Sequence, residues 1–158
     1  MPDRFIIPGD LTRIFVASDL DSPTLGERFR DGVTGSEYIF LTGIASTVAG
    51  DPVVWNAAFT TTRMAGTDVG NIAIAMAATV ASTKGWYQIY GNGSAKVVAT
   101  GGVRVYASTV TGQLTATIVT GAMIHGMNTN PGTGNTVTGS LTSVSLSYPS
   151  VDRSSGSY

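Results

Sequence analysis

The sequence predicts an all-β fold: a single-domain antiparallel β-sandwich or barrel, jelly-roll-like, with an extended N-terminal arm. Three observations support this. Short runs of β-branched and aromatic residues recur along the chain. Turn signals rich in glycine, which occurs 20 times, separate these runs. Several runs alternate apolar with small side chains at a period of two, as strands do. We therefore expect less than about a tenth of the residues in helices.

The length of 158 residues is that of one ordinary domain. We divide it into an arm and loop over residues 1–24, a β domain over 25–150 and a flexible polar tail over 151–158. The absence of cysteine excludes disulfides, thiolate metal sites and thiol catalysis. The chain shows neither a signal-peptide pattern nor an apolar run of ~20 residues, so we expect no cleaved leader and no membrane segment.

The arm carries two apolar clusters, Phe5–Ile7 and Ile14–Val16, separated by a Pro-Gly turn. Burying one Phe or Ile side chain contributes roughly 1.5–3 kcal/mol, so both clusters should pack on something. Their own domain could bury them as an edge strand, but we favour contact with a neighbouring subunit. The candidate contact residues are Arg4, Phe5, Ile6, Ile7, Arg13, Ile14 and Phe15, with the two arginines pairing acidic groups on that neighbour.

The first half of the β domain contains five segments that are rich in strand-forming residues. They are residues 37–41, 44–48, 53–55, 59–64 and 72–80. The last of them is ambiguous because alanine favours helix. Ile72, Ile74 and Met76 nevertheless alternate with alanines, so we predict a strand with one face of small residues, and a short helix is the alternative.

The second half continues in the same way. Trp86–Tyr90 is a predicted strand, and Asn92-Gly93 is the best two-residue hairpin signal, because both positions tolerate positive φ. The further predicted strands are residues 95–99, 103–107, 114–119, 122–125, 136–138 and 141–148, with a loop at 128–135. In the last strand Val144, Leu146 and Tyr148 alternate with serines, so we expect these three side chains on the buried face.

Charged residues are scarce and unevenly placed. They make up 12% of the chain, against about 25% in a typical domain. Eight of the ten acidic residues lie at or before Asp51, and none lies between residues 69 and 151. No basic stripe is present that could neutralise phosphates, so we expect no nucleic-acid partner. A weakly charged surface is more typical of a chain docked in an assembly than of a free soluble protein.

His125 is the only histidine and the obvious candidate for a general base or a metal ligand. A general base needs an orienting carboxylate or a nucleophile beside it. No acidic residue lies within 50 positions before His125, and the next one after it is Asp152. We interpret His125 as structural. We predict a protein that is not an enzyme and has no catalytic, cofactor or metal site.

Three other patterns favour a structural role over the binding of a phosphate, a calcium ion or a base or sugar. Gly91-Asn92-Gly93 resembles the start of a phosphate-binding loop but lacks the helix and the lysine that should follow. The acidic residues between positions 19 and 31 lack the spacing of a calcium loop, and we expect them to form surface ion pairs with Arg28 and Arg30. The aromatic side chains of residues 86–90 could stack on bases or sugars, but strand spacing is more typical of a core.

Several stretches resemble those of a known protein family in their residues and in their order along the chain. They are Leu25–Gly32 (LGERFRDG), Glu37–Leu41 (EYIFL), Ala49–Asp51 with Val53–Trp55, Lys84–Gly91 (KGWYQIYG) and Val144–Pro149. Over roughly residues 25–150 the chain resembles the head decoration, or cement, proteins of tailed bacteriophages. The resemblance implies a virion protein without catalytic residues that lies on the outer capsid surface and bridges neighbouring major capsid subunits. Its expected partners are the major capsid protein and further copies of itself, as a dimer or trimer, with no cofactor, nucleic acid or membrane.

Two other functions remain open. One is a phage tail or fibre component, or another β-rich module, that binds a receptor or a glycan. Such a module would bind cell surfaces or glycans in isolation, whereas a decoration protein binds assembled capsids. The other is a small β-sandwich hydrolase, for which substitution of His125 is the direct test.

Overall fold

The computed structural model describes residues 10–98, 104–130 and 141–152. Within these ranges there is no helix, and about half of the residues lie in strands, so the predicted all-β fold is confirmed. The strands are β1 (Arg28–Arg30), β2 (Glu37–Thr42), β3 (Pro52–Trp55), β4 (Thr61–Arg63), β5 (Gly70–Ala75), β6 (Lys84–Val98), β7 (Arg104–Ala107), β8 (Leu114–Thr115), β9 (Met123–Thr129) and β10 (Leu141–Val151).

Six of these strands close into a barrel. Its order is β6-β8-β7-β9-β10-β5, and β5 pairs back onto β6. The pairing of β6 with β8 is parallel, unlike the antiparallel pairing predicted from the sequence. β8 lies between β6 and β7, which run in opposite directions. Because β8 runs antiparallel to β7, it is parallel to β6.

The longest strand, β6, belongs to two parts of the sheet. Its first half, up to Tyr90, pairs with β2 and β5. From Tyr90 onward it pairs with β10, and its last residues pair with β8. The strands β1 and β2 extend the sheet from one side of β6, and β3 and β4 extend it from β5. The barrel therefore carries a flanking sheet that shares β5 and β6 with it.

The predicted hairpin at Asn92-Gly93 is wrong, because the strand β6 continues without interruption through these residues. Gly91 has a φ of 94° and lies next to the register shift between β6 and β2, but the strand continues past it. The Gln88 side-chain amide donates to the carbonyls of Tyr90 and Asn92, at 3.2 and 2.9 Å, and so spans Gly91. Pairing of this stretch with β10 supplies ladder hydrogen bonds, and these outweigh the local preference of Asn-Gly for a turn.

The strand predicted over residues 72–80 is confirmed for its first part only. In β5, Ile72 and Ile74 face the barrel interior, while Ala73 and Ala75 pack into a second cluster on the opposite face. Residues 76–80 and the predicted strand at 44–48 are turns, joined by one isolated bridge between Thr47 and Thr79.

Three apolar clusters form the core. The first fills the barrel and consists of Met64, Ile72, Ile74, Ala95, Val97, Val105, Ala107, Leu114, Ala122, Ile124, Met127, Val144, Leu146 and Val151. The other two lie on opposite faces of the flanking sheet, because successive residues of β2 point to opposite sides. Ile39 and Leu41 belong to the second cluster, whereas Tyr38 and Phe40 belong to the third, with Trp86 and Phe15.

Candidate functional site

The N-terminal segment covers its own domain. Phe15 is buried, and its ring packs edge-on against Phe40 at 5.3 Å between centroids. Its backbone exchanges two hydrogen bonds with Lys84, of 2.9 and 2.8 Å. Phe15 therefore packs on its own domain, and contact with Phe40 and Trp86 takes its phenyl ring out of water. Its candidate contact with a neighbouring subunit stays a prediction.

The two candidates beside Phe15 also contact their own chain. Ile14 is half-buried, and its Cδ1 atom lies close to Gly85. The guanidinium of Arg13 pairs with Asp21 at 2.7 Å and lies over the Phe15 ring, 4.4 Å from its centroid. This pair lies within the chain, and a contact between Arg13 and a neighbour stays a prediction. The remaining candidates, Arg4, Phe5, Ile6 and Ile7, lie outside the described residues.

His125 does acquire a carboxylate neighbour. Its Nε2 atom lies 3.2 Å from an oxygen of Asp152, because antiparallel pairing of β9 with β10 places Ser150 opposite His125. Both side chains are more than half exposed, and such surface pairs contribute about 1 kcal/mol or less. Within the described ranges no three metal-ligating side chains come together. The pair is thus a surface contact at the end of the barrel.

Sequence reasoning missed a buried ionic cluster. The Asp51 carboxylate is fully buried and accepts from Lys96 at 2.6 Å and from Arg63 at 2.9 Å. Its backbone also bonds to Ala75, so the turn before β3 is fixed to β5. Ion pairing and hydrogen bonding of both carboxylate oxygens offset the cost of burying the charge. The cluster joins the flanking sheet to the barrel and is structural.

A partly open pocket of about 90 Å³ lies where β10 leaves β6 and joins β5. It is lined by Arg28, Trp55, Asn71, Ile72, Ile89, Tyr148 and Pro149. These residues come from β1, β3, β5, β6 and β10, so only the folded sheet brings them together. No pattern in the sequence could have indicated this grouping.

Tyr148 forms one wall of the pocket in a strained conformation. Its φ is 49°, which is unusual for a bulky residue. The register of β10 against β9 shifts between Leu146 and Ser150, so the predicted alternation holds for Val144 and Leu146 but fails at Tyr148, which is half exposed. The bulge turns the ring outward, where it packs on Tyr90 with 5.2 Å between centroids.

The Tyr148 hydroxyl forms a hydrogen bond with the acidic side chain of Glu37. It donates to the Glu37 carboxylate at 2.6 Å. This hydrogen bond, together with desolvation and the negative charge of Glu37, raises the pKa of Tyr148 above its usual value. The phenol therefore remains neutral at physiological pH, and Glu37 holds it in place at the pocket.

Two residues that line the pocket carry nitrogen donors without a protein partner among the described residues. The Nε1 atom of Trp55 is buried and has no hydrogen-bond partner among the described residues. Arg28 is exposed, and none of the ion pairs in the described part of the chain includes it. The surface ion pair predicted for Arg28 is therefore not found there, whereas Arg30 approaches Glu37 at 3.7 Å. The arrangement can bind an acceptor.

Comparisons of the sequence and the fold with known proteins give no match. No family model matches it, and no match is found among curated proteins or solved structures. In the described ranges, no helix is long and apolar enough to cross a membrane.

Proposed function

We propose that the chain is a viral structural protein: a capsid decoration protein that binds the outer surface of a tailed-phage head, bridges neighbouring major capsid subunits and stabilises the particle. The sequence resemblance described above supports this proposal. The fold is compatible with it, because a barrel cross-linked to a flanking sheet resists deformation. Its expected partners are the major capsid protein and further copies of the chain.

The observation that carries the proposal is the exposure of large aliphatic side chains in turns and loops of a weakly charged protein. Leu20 and Val33 are almost wholly exposed, and Ile118 is 77% exposed. Single exposed apolar residues are common on soluble proteins, but these three occur where only 12% of the residues are charged. Burial against a partner would stabilise a complex by roughly 1.5–3 kcal/mol per side chain.

Co-sedimentation with heads of the phage that encodes the chain tests the proposal. We expect the purified chain to sediment with the heads, and the double variant L20S/V33S to do so much less. The matched control is T67S/T111S, which alters two exposed turn positions without removing a large apolar side chain. Failure of the unaltered chain to bind heads would contradict the proposal.

The predicted anchoring role of the arm needs a narrower deletion than residues 1–16, because Phe15 belongs to the core. Removal of residues 1–9 spares Phe15 and its bonds to Lys84. If these residues anchor the chain, the truncated protein remains folded and binds heads more weakly. Co-sedimentation equal to that of the full chain would show that they are not the anchor.

One observation favours a second function, a receptor- or glycan-binding module of a phage tail or fibre. The half-exposed ring of Tyr148, packed on Tyr90 beside the pocket, offers an aromatic face on which a sugar can stack at the surface. A module of this kind would bind a glycan array as the isolated chain and would not sediment with heads. The two functions therefore give opposite results in the two assays.

A further inference from the structure

The pocket between β5, β6 and β10 has a lining that selects for one chemical group. We propose that it receives the carboxylate of an Asp or Glu side chain presented by the protein surface on which the chain docks. This inference rests on the proposed function, since it names the contact that the docked partner supplies. Arg28 is the charged partner of the carboxylate, and Asn71 is an amide donor beside it.

The size of the pocket argues for a side chain and against a complete ligand. Its volume is about 90 Å³. Sites for whole small molecules usually measure about 300–1,000 Å³. A carboxylate with one or two methylene groups fits this space, whereas a sugar ring would remain mostly outside it.

The charge of the lining argues for an anion. Arg28, Trp55 and Asn71 all carry N–H donors, and no carboxylate of the described residues lines the pocket. An arginine fork binds a carboxylate through two parallel hydrogen bonds, which makes it specific as well as strong. Ile72 and Ile89 offer an apolar surface to the methylene groups behind the acid.

The nearest acid is already engaged elsewhere. Glu37 accepts from the Tyr148 hydroxyl at 2.6 Å, and no ion pair among the described residues includes Arg28, so Arg28 remains open to an acid from outside. The strained backbone of Tyr148 persists because the surrounding bonds hold it, and such strain is concentrated at binding and catalytic sites. The indole nitrogen of Trp55 is buried and has no hydrogen-bond partner among the described residues.

The first test uses propionate as the probe and the indole N–H signals of the ¹⁵N-labelled full chain as the readout. The chain has two tryptophans, and Trp86 lies in a different core cluster, so its signal is an internal control. At constant ionic strength we expect propionate to shift the Trp55 signal saturably, with a Kd of about 1–10 mM, a weak binding free energy suited to one side chain. Neutral propionamide should leave the signal unchanged.

Two arginine variants of the same strand make the test specific. R28Q should weaken propionate binding about tenfold, the loss expected for a charge-assisted hydrogen bond. R30Q is the matched control, because Arg30 is exposed on β1 but does not line the pocket. Equal shifts with propionamide, equal movement of both indole signals, or equal binding by both variants would overturn the inference.

Co-sedimentation separates this inference from the proposed function. We expect R28Q to bind heads about tenfold more weakly than R30Q, as in the propionate titration. If R28Q and R30Q bind heads equally, the pocket does not contact the partner, although the proposed function survives. If the unaltered chain binds no heads, the function itself fails. Retention of the chain on an array of carboxylated sugars, lost in R28Q, would overturn the assignment to a protein side chain.

Discussion

The Tyr148 hydroxyl donates a 2.6 Å hydrogen bond to the Glu37 carboxylate, joining two residues that are 111 positions apart. Glu37 begins β2, and Tyr148 lies in the bulge of β10, so the bond ties the flanking sheet to the barrel wall. Tyr90 lies between them, paired with Glu37 on one side and with Ser147 on the other. The three residues fix the point at which β6 changes partners.

Replacing Glu37 should change the titration of Tyr148. The hydrogen bond to Glu37 raises the pKa of Tyr148, so Glu37→Gln should lower that pKa towards the usual value of about 10. The stabilisation associated with the raised pKa is present below about pH 10 and is lost as the pH rises through the folded-state pKa. Following the tyrosine Cζ carbon by NMR measures the shift. Glu27→Gln, which neutralises a carboxylate that accepts from the Thr24 backbone N–H, is the control.

Two glycines of similar conformation should respond differently to alanine. Gly126 and Gly121 have φ values of 72° and 70°, so alanine at either position costs about 1–2 kcal/mol of backbone strain. At Gly126 the added methyl group would also overlap the Ser147 carbonyl oxygen beside the bulge, whereas at Gly121 it meets nothing within 4 Å. We expect Gly126→Ala to lower the free energy of unfolding by clearly more than Gly121→Ala. Urea denaturation measures both, and equal losses would contradict the close approach at Gly126.

Removing the buried carboxylate of Asp51 should be costly. Asp51→Asn leaves Lys96 and Arg63 without their shared acid, and the loss of one partner from a buried pair typically costs about 3–5 kcal/mol. Asp21→Asn removes an exposed ion pair and should cost about 1 kcal/mol or less. Chemical denaturation of both variants measures the difference. A small loss for Asp51→Asn would show that the cluster does not stabilise the fold.

The arm contributes to stability through Phe15. Phe15→Ala should lower the free energy of unfolding by about 3–5 kcal/mol, because it leaves a cavity against Phe40 and Trp86. The adjacent Val16 is 47% exposed, so Val16→Ala should change the stability by about 0.5 kcal/mol or less. Thermal unfolding followed by circular dichroism compares the two variants. Equal effects would show that the arm does not pack as described.

His125→Ala should leave the binding activity unchanged and the stability nearly so. The imidazole is half exposed, and its contact with Asp152 is an exposed pair worth about 1 kcal/mol or less. Head binding and thermal unfolding of the variant are the two measurements. Loss of binding without loss of stability would contradict the structural interpretation of His125.

The sequence predicted the strands that are rich in β-branched and aromatic residues, as in Glu37–Leu41, or that have a clear period of two, as in the first part of 72–80. It failed at Asn92-Gly93, because the turn preference of a dipeptide is local, whereas the pairing with β10 joins residues about 50 positions away. It failed at Tyr148 for a related reason: a bulge depends on three strands at once.

The candidate site was beyond prediction from pattern alone. Arg28 and Tyr148 are separated by most of the chain, and neither belongs to a motif that indicates a pocket. Sequence reasoning considered Arg28 only as a member of a surface ion pair. The open guanidinium becomes evident only when Asp21 is found on Arg13 and Glu37 on Tyr148.

The long strand β6 has a consequence for how the molecule opens. Because its 15 residues pair with β2 and β5 in one half and with β10 and β8 in the other, neither the barrel nor the flanking sheet can separate without breaking a ladder of the other. The two parts should therefore melt as one cooperative unit, with the central amides of β6 the slowest to exchange with solvent deuterium.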